Sequence, residues 1–195
     1  MQIDQSVLDS VLDIRTPWLT DVVTVITNLG GTVASWVITS VIVLALLARR
    51  HRAEALLVGG AMFTGQLVMS LLKLAFGRAR PPEPERLVVE VTHSFPSGHA
   101  MMSSILVCVV GAVIVRLAGS PAWSRRSAPD RWRTPMLFAG LALWTLAIGL
   151  SRVYLGAHWL TDVIAGWLFG AAWAGLWIWA IDKSSRNPAT EGRLP

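Results

Sequence analysis

Charge is scarce in this chain. Lys, Arg, Asp and Glu make up 15% of its 195 residues, where a soluble domain carries about 25%. The scarcity is also patchy. No charged residue occurs from Val33 to Ala48, Ala55 to Leu72, Ala100 to Val115, Thr134 to Ser151, or Val163 to Ile181. Each gap with its flanking turn approaches the roughly 20 residues that cross about 30 Å of hydrocarbon. One gap could be a buried core helix, but five leave too little polar chain to cover them. Cysteine is nearly absent. The single Cys108 excludes a disulfide within the chain and, mid-span, reads as a small core residue. No basic lead or small-residue cleavage site precedes the first apolar run, so no signal peptide is expected. No internal repeat stands out. No interleaved aromatic and basic patch suggests a nucleic-acid partner, so the net charge of +5 is read as topology.

The expected fold is an all-α, polytopic transmembrane bundle with five spans and an N-terminal interfacial helix. Residues 1–182 form one membrane-embedded domain and 183–195 a solvated tail. In "MQIDQSVLDSVLDIRTP", Val7, Val11 and Ile14 share a face, with Leu8 and Leu12 beside them. Asp4, Asp9 and Asp13 fall mostly elsewhere, which suits a helix lying in the interface. Pro17 ends it. "WLTDVVTVITNLGG" follows as a short dipping segment that breaks at Gly30–Gly31. A sixth span over the N-terminal region stays open, although Asp4, Asp9, Asp13 and Arg15 make it costly.

Orientation follows from Lys and Arg. Arg49, Arg50, Arg52, Arg116, Arg125, Arg126, Arg131, Arg133, Lys183, Arg186 and Arg193 fall on one side, which is read as cytoplasmic. Lys73, Arg78, Arg80, Arg86 and Arg152 fall on the other, with Arg15 if the N-terminus is outside. Of the ten tryptophans, Trp123, Trp132, Trp144 and Trp159 lie near span ends, where indoles suit the headgroup zone. Trp173, Trp177 and Trp179 fall toward the cytoplasmic half of the last span. Anchoring and packing account for all of these.

Three stretches on the outer side carry chemistry. "KLAFGRARP" runs from Lys73 to Pro81, "PSGH" from Pro96 to His99, and "SRVYLGAHWLTD" from Ser151 to Asp162. Lys73, Arg80 and Arg152 are cations at the edge of a low-dielectric slab. With no matching run of carboxylates they would repel one another unless they receive an anion. Arg offers phosphate a planar fork and Lys a compact charge. Arg78 and Arg86 read instead as snorkelling or headgroup-attracted. Ser97 can cap the following helix, Gly98 lets backbone approach a ligand, and His99 sits in the first turn beside free N–H groups. Alone, that tripeptide reads first as an ordinary cap with an interfacial histidine. His158 and Asp162 are spaced to share a helix face, so that Asp162 can hold one ring nitrogen while the other attacks. Alone, that pair equally suits a helix cap. Glu83, Glu85 and Glu90 could add ligands for a metal, but the three cations argue against one, and no metal or cofactor is expected.

The ordered spacing K-x6-R-P, P-S-G-H and S-R-x5-H-x3-D, from Lys73 to Asp162, resembles the three-part signature of the type 2 phosphatidic acid phosphatase superfamily. That family includes membrane lipid phosphatases and soluble vanadium haloperoxidases. The resemblance implies a metal-independent phosphatase in which His158 attacks phosphorus and forms a phosphohistidine. It further implies that Asp162 orients His158 and that His99 protonates the leaving group. By the same resemblance, Lys73, Arg80, Arg152, Ser97 and Gly98 are expected to cradle the phosphoryl oxygens. Many membrane members have six spans, where five plus an interfacial element are read here. The expected substrate is a lipid phosphate in the bilayer of the plasma or inner membrane, hydrolysed on the extracytoplasmic side. A polyprenyl (undecaprenyl-type) diphosphate is favoured over phosphatidylglycerol phosphate or phosphatidic acid. The loop "PPEPERLVVEVTHSF" is read as a lid whose two early glutamates discourage other anions. A lipid-phosphate carrier would need the cations without His158, and a haloperoxidase would not need the apolar spans.

Overall fold

The structure, a computed structural model, describes residues 2–119 and 133–185. Seven α-helices make up the described chain: α1 (Gln2–Asp13), α2 (Pro17–Leu29), α3 (Thr32–Ala48), α4 (Arg52–Phe76), α5 (Gly98–Ala118), α6 (Arg133–Tyr154) and α7 (Leu160–Ser185). A single 3-10 turn, Glu83–Glu85, interrupts the α4–α5 loop, and no strand occurs among the described residues. The fold is the all-α membrane bundle expected. Helices α4, α5, α6 and α7 are each long and apolar enough to cross a membrane. The α2–α3 pair makes up to a fifth span, bent by 44° at the Gly30–Gly31 break. Helix α1, at 12 residues and about 1.5 Å per residue, is too short to span. Arg125, Arg126, Arg131, Trp123, Trp132 and the tail from residue 186 lie outside the described residues, as does the side chain of Arg133.

The burial pattern is that of a bundle in lipid. Val33, Val37, Val41, Leu67, Leu71, Leu143 and Leu168 are exposed along the spans. Leu57, Met62, Met101, Ile105 and Val109 are fully buried between α4, α5 and α7. Lipid tails are as apolar as leucine, so such helices associate through close packing and small interface residues rather than through exclusion of water. Gly166 and Gly170 supply these on α7. A Cβ at Gly166 would stand 2.7 Å from the Ser97 carbonyl oxygen, and one at Gly170 would stand 2.5 Å from that of Met101. The start of α5, which carries Gly98 and His99, is therefore seated directly on α7. Trp173 and Trp177 both donate their indole N–H to Thr64 Oγ1, at 3.2 and 2.9 Å, so both pack α7 onto α4.

Connections end the helices at one face of the bundle. Gly77, with φ of +56°, closes α4 by donating its N–H to the Lys73 carbonyl at 3.1 Å. Gly156, with φ of +66°, turns the chain after α6. Behind it the Arg152 carbonyl accepts from the N–H groups of Ala157 and His158, at 3.0 and 3.2 Å. The α6–α7 turn thus fastens His158 to Arg152. Because α4 and α6 end where α5 and α7 begin, Lys73, His99, Arg152 and Asp162 share one end of the bundle.

Candidate active site

Four segments converge on a cavity of about 530 Å³. Lys73 enters from the end of α4, Gly98 and His99 from the start of α5, Arg80 and Glu90 from the α4–α5 loop, and His158 from the α6–α7 turn. Trp36, Met69 and Met102 extend the wall toward the apolar spans. The cavity is thus polar at one end and apolar at the other. Ser97, Arg152 and Asp162 stand behind the lining, each nearly or fully buried.

His158 is 2% exposed. It precedes α7 instead of lying on it, so the expectation that His158 and Asp162 share a helix face is corrected. They meet across the helix start, with Nδ1 3.5 Å from Asp162 Oδ2. Asp162 caps that start, its Oδ2 accepting from the Trp159 N–H at 3.0 Å. One carboxylate thus both caps the helix start and faces the near ring nitrogen. Ser94 adds a partner that the spacing did not suggest. Its hydroxyl donates to Asp162 Oδ2 at 2.5 Å and lies 3.4 Å from His158 Nδ1. The far ring nitrogen, Nε2, faces the cavity side, 3.2 Å from Arg80 Nη1. Burial pushes the imidazole pKa down to about 4, the Asp162 contact raises it, and Arg80, Lys73 and Arg152 lower it further. The ring is neutral at pH 7, the form in which a nitrogen lone pair is free.

The cations are held by backbone oxygens, threonine hydroxyls and one carboxylate. Lys73 Nζ donates to the His93 carbonyl at 2.6 Å. Arg80 donates to the carbonyls of Ala157 and Thr92, at 2.6 and 2.7 Å. Arg152 donates to Thr27 Oγ1 at 2.9 Å and to Glu90, while its buried Nε has no hydrogen-bond partner among the described residues. Glu90 also meets Arg80 at 3.5 Å. The expectation of three cations without a carboxylate is therefore corrected: Glu90 sits between two of them. It could not be singled out by sequence, being one of three glutamates in the same loop. The lid reading shifts accordingly. Glu83 pairs with Arg86 at 3.1 Å, and neither it nor Glu85 lines the cavity, whereas Glu90, Val91, Thr92 and His93 do. The loop is tied down by the Leu87 N–H, which donates to the Leu155 carbonyl at 2.9 Å.

At the start of α5, Ser97 is the N-cap and its hydroxyl accepts from the Ala100 N–H at 3.5 Å. Its own N–H donates to the Asp162 carbonyl at 3.0 Å, tying the second signature stretch to the third. The Phe95–Pro96 peptide bond is cis. Gly98 lines the cavity, and a Cβ there would stand 3.5 Å from Met69 and 4.0 Å from Lys73 Cε.

The structure corrects the reading of Arg78 as a snorkelling or headgroup-attracted cation. Its two terminal nitrogens reach Asp162 Oδ1 at 2.5 Å and Asp4 Oδ2 at 2.7 Å, and it lies 5.7 Å from the Trp159 ring. The placement of Asp4 away from the buried face is corrected with it. Asp4 is 3% exposed, on the same side of α1 as buried Leu8. Burial raises its carboxyl, but the Thr161 N–H and Arg78 outweigh that and hold it below the usual carboxylate range. An isolated acidic residue on a short helix reads as solvated until the distant arginine that meets it is located.

A profile of the PAP2 superfamily matches residues 54–186. The chain belongs to that superfamily. It is 30% identical over 169 residues to phosphatidylglycerophosphatase B of Bacillus subtilis, covering 86% of this chain and 77% of that protein. The crystal structure of a transmembrane PAP2-type phosphatidylglycerolphosphate phosphatase from Bacillus subtilis superposes with a TM-score of 0.78 at 28% identity. It covers 98% of this chain and 88% of that one. A shorter match, 40% identical over 79 residues, is to an undecaprenyl-diphosphatase of Sulfolobus acidocaldarius, of which this chain spans 29%. The fold is shared with LpxE of Aquifex aeolicus, at a TM-score of 0.64 and 19% identity over 89% of this chain and 93% of that one. This PAP2 protein is a multi-span membrane lipid phosphatase.

Proposed function

We propose that the enzyme hydrolyses a lipid phosphate without a metal, through a phosphohistidine at His158. Neutral Nε2 attacks phosphorus, the ester bond to the lipid oxygen breaks, and that oxygen leaves with the proton of His99. The Nδ1 proton stays on the ring, held by Asp162 and Ser94. Charge on the equatorial oxygens is met by Lys73, Arg80 and Arg152, with the Gly98 backbone and the α5 N-terminus. Water then attacks the phosphohistidine, its proton passes to His99, and His158 and inorganic phosphate are released. Glu90 swings from Arg80 and Arg152 when phosphate takes its place. The carrying observation is the convergence of Lys73, Arg80, His99 and His158 on one cavity with apolar walls leading into the spans.

The substrate class that these observations favour is a glycerophospholipid phosphate monoester, phosphatidylglycerol phosphate first. The relative and solved structure matched over most of this chain are both phosphatases of that lipid, which outweighs the preference for polyprenyl diphosphate drawn from sequence. A second reading, polyprenyl diphosphate, has specific support in the 40% identity to an undecaprenyl-diphosphatase. The site opens on the extracytoplasmic face of the plasma or inner membrane, supported by the cationic ends opposite it, where Arg49, Arg50, Arg52, Arg116 and Lys183 lie. Phosphate release by purified enzyme from phosphatidylglycerol phosphate, phosphatidic acid and undecaprenyl diphosphate tests the proposal. The highest kcat/KM should fall on the first, and His158→Ala should abolish all three. A diphosphate preferred by more than tenfold selects the second reading. Turnover by His158→Ala overturns the mechanism.

A further inference from the structure

The N-terminal helix enters this site from the side. Asp4 lies in the first turn of α1 and is buried, yet no step above uses it. Its Oδ2 accepts from Arg78 Nη2 at 2.7 Å and from Thr161 Oγ1 at 2.8 Å, and its Oδ1 accepts from the Thr161 N–H at 3.0 Å. Arg78 Nη1 donates to Asp162 Oδ1 at 2.5 Å and to Thr161 Oγ1 at 2.7 Å. One guanidinium is thus shared between two buried carboxylates, one on α1 and one on α7. The oxygen of Asp162 that faces His158 is the other one, Oδ2.

A carboxylate gripped at one oxygen can turn about its Cβ–Cγ bond. Oδ2 is already held by the Trp159 N–H and Ser94, and the bond from Arg78 Nη1 to Oδ1 grips the second oxygen, which removes that freedom and keeps Oδ2 turned to the imidazole. The same cation relieves repulsion between two buried anions. We propose that Asp4 and Arg78 are positioning residues of this phosphatase: Arg78 fixes Asp162 and takes up part of its charge, and Asp4 fixes Arg78. The N-terminal helix is thereby part of the catalytic apparatus although it touches no substrate. The proposal rests on His158 acting as the nucleophile.

A distinctive consequence follows from the sharing. The charged or titratable groups facing His158 are Asp162, Arg80, Lys73, Arg152 and His99. Glu90 meets that set through Arg80 and Arg152, and Arg78 meets it through Asp162. In Arg78→Gln the whole charge of Asp162 acts on the imidazole and favours its protonated form. The acid limb of kcat/KM then moves to higher pH. In Asp4→Asn the guanidinium is no longer shared and neutralises Asp162 more fully, so the limb moves to lower pH. A role confined to holding the fold together moves neither.

Profiles of kcat/KM from about pH 3 to 9 with one lipid phosphate, whose own titration cancels between variants, test this on the full-length enzyme. Asp4→Asn and Arg78→Gln should each lower kcat by about tenfold, with KM held within about threefold, as for other outer-shell partners. Their acid limbs should move apart, each by about half a unit or more. Asp4→Glu should recover most of kcat. Asp4→Asn should have no further effect in the Arg78→Gln background. Limbs that stay with the wild type, that move the same way, or effects that simply multiply in the double variant overturn the proposal. Should Asp4→Asn fail to fold, Arg78→Lys decides: it keeps the charge and loses the fork, so kcat should fall while the limb stays, and an undiminished kcat refutes the assignment. Activity in His158→Ala would instead overturn the functional reading, whatever Asp4 does.

Discussion

Glu90 occupies the place of an anion, and removing its charge should make the site bind phosphate more tightly. It meets Arg80 at 3.5 Å and hydrogen-bonds Arg152. An incoming phosphate must displace it or endure its repulsion. Two unit charges about 5 Å apart interact by roughly 3 kcal/mol at an effective dielectric near 20. Glu90 is 25% exposed, and screening removes about half of that figure. The remaining 1–2 kcal/mol, roughly, corresponds to about 5–30-fold tighter anion binding in Glu90→Gln. The glutamine amide oxygen still accepts from Arg152, so the fold survives. Glu90→Ala leaves a buried cation without its carboxylate and should cost about 3–5 kcal/mol of stability. The assay is competitive inhibition of detergent-purified enzyme by orthophosphate and by vanadate, with thermal midpoints measured alongside. A folded Glu90→Gln protein that binds orthophosphate no tighter than wild type, or more weakly, refutes this reasoning and makes Glu90 an organiser of the cations.

Other outcomes follow from the same geometry. Because His158 in the fold sits near pH 4 and an ordinary histidine near 6.5, the unfolded chain binds the extra proton between those values. Stability present above about pH 6.5 should therefore fall as pH drops toward 4, by up to about 3 kcal/mol, and thermal midpoints of His158→Gln should show a flatter decline. Gly166→Ala places a methyl 2.7 Å from the Ser97 carbonyl and 2.9 Å from Ala100 Cβ, so it should cost about 1–3 kcal/mol and lower kcat by displacing the α5 start. Gly175→Ala, where no atom lies within 4 Å, is the control and should match wild type in both. EDTA should leave phosphate release unchanged; loss restored by a divalent ion would contradict the metal-free mechanism.

Much of this was legible because membrane helices are written in long, visible gaps between charges. The four longest spans coincide with such gaps, and the turn at Gly30–Gly31 was marked by two adjacent glycines. The signature residues were legible as residue types at fixed spacing, and Lys73, Gly98, His99 and His158 do share a cavity wall. What spacing could not give was pairing across distance. Arg78 lies two residues from Arg80, and nothing local separates a cation that lines the cavity from one bound to Asp162 and Asp4. Glu90 was indistinguishable from Glu83 and Glu85 until the loop path carried it between Arg80 and Arg152. Ser94, in an irregular stretch, has no periodicity to mark it, and its contact with Asp162 depends on the turn that brings the loop back over α7. His158 was placed one turn too far into α7 because the Gly156 turn and the Asp162 cap delay the helix to Leu160.

The most direct measurement is capture of the covalent intermediate. Enzyme mixed with a lipid phosphate carrying labelled phosphorus and quenched within the first turnover should yield phosphoprotein that is stable to alkali and labile to acid, with the label on the peptide containing His158. His158→Gln should capture none, and Asp162→Asn far less. Label on another residue, or rapid phosphate release with no captured phosphoprotein in any turnover phase, contradicts a nucleophilic His158.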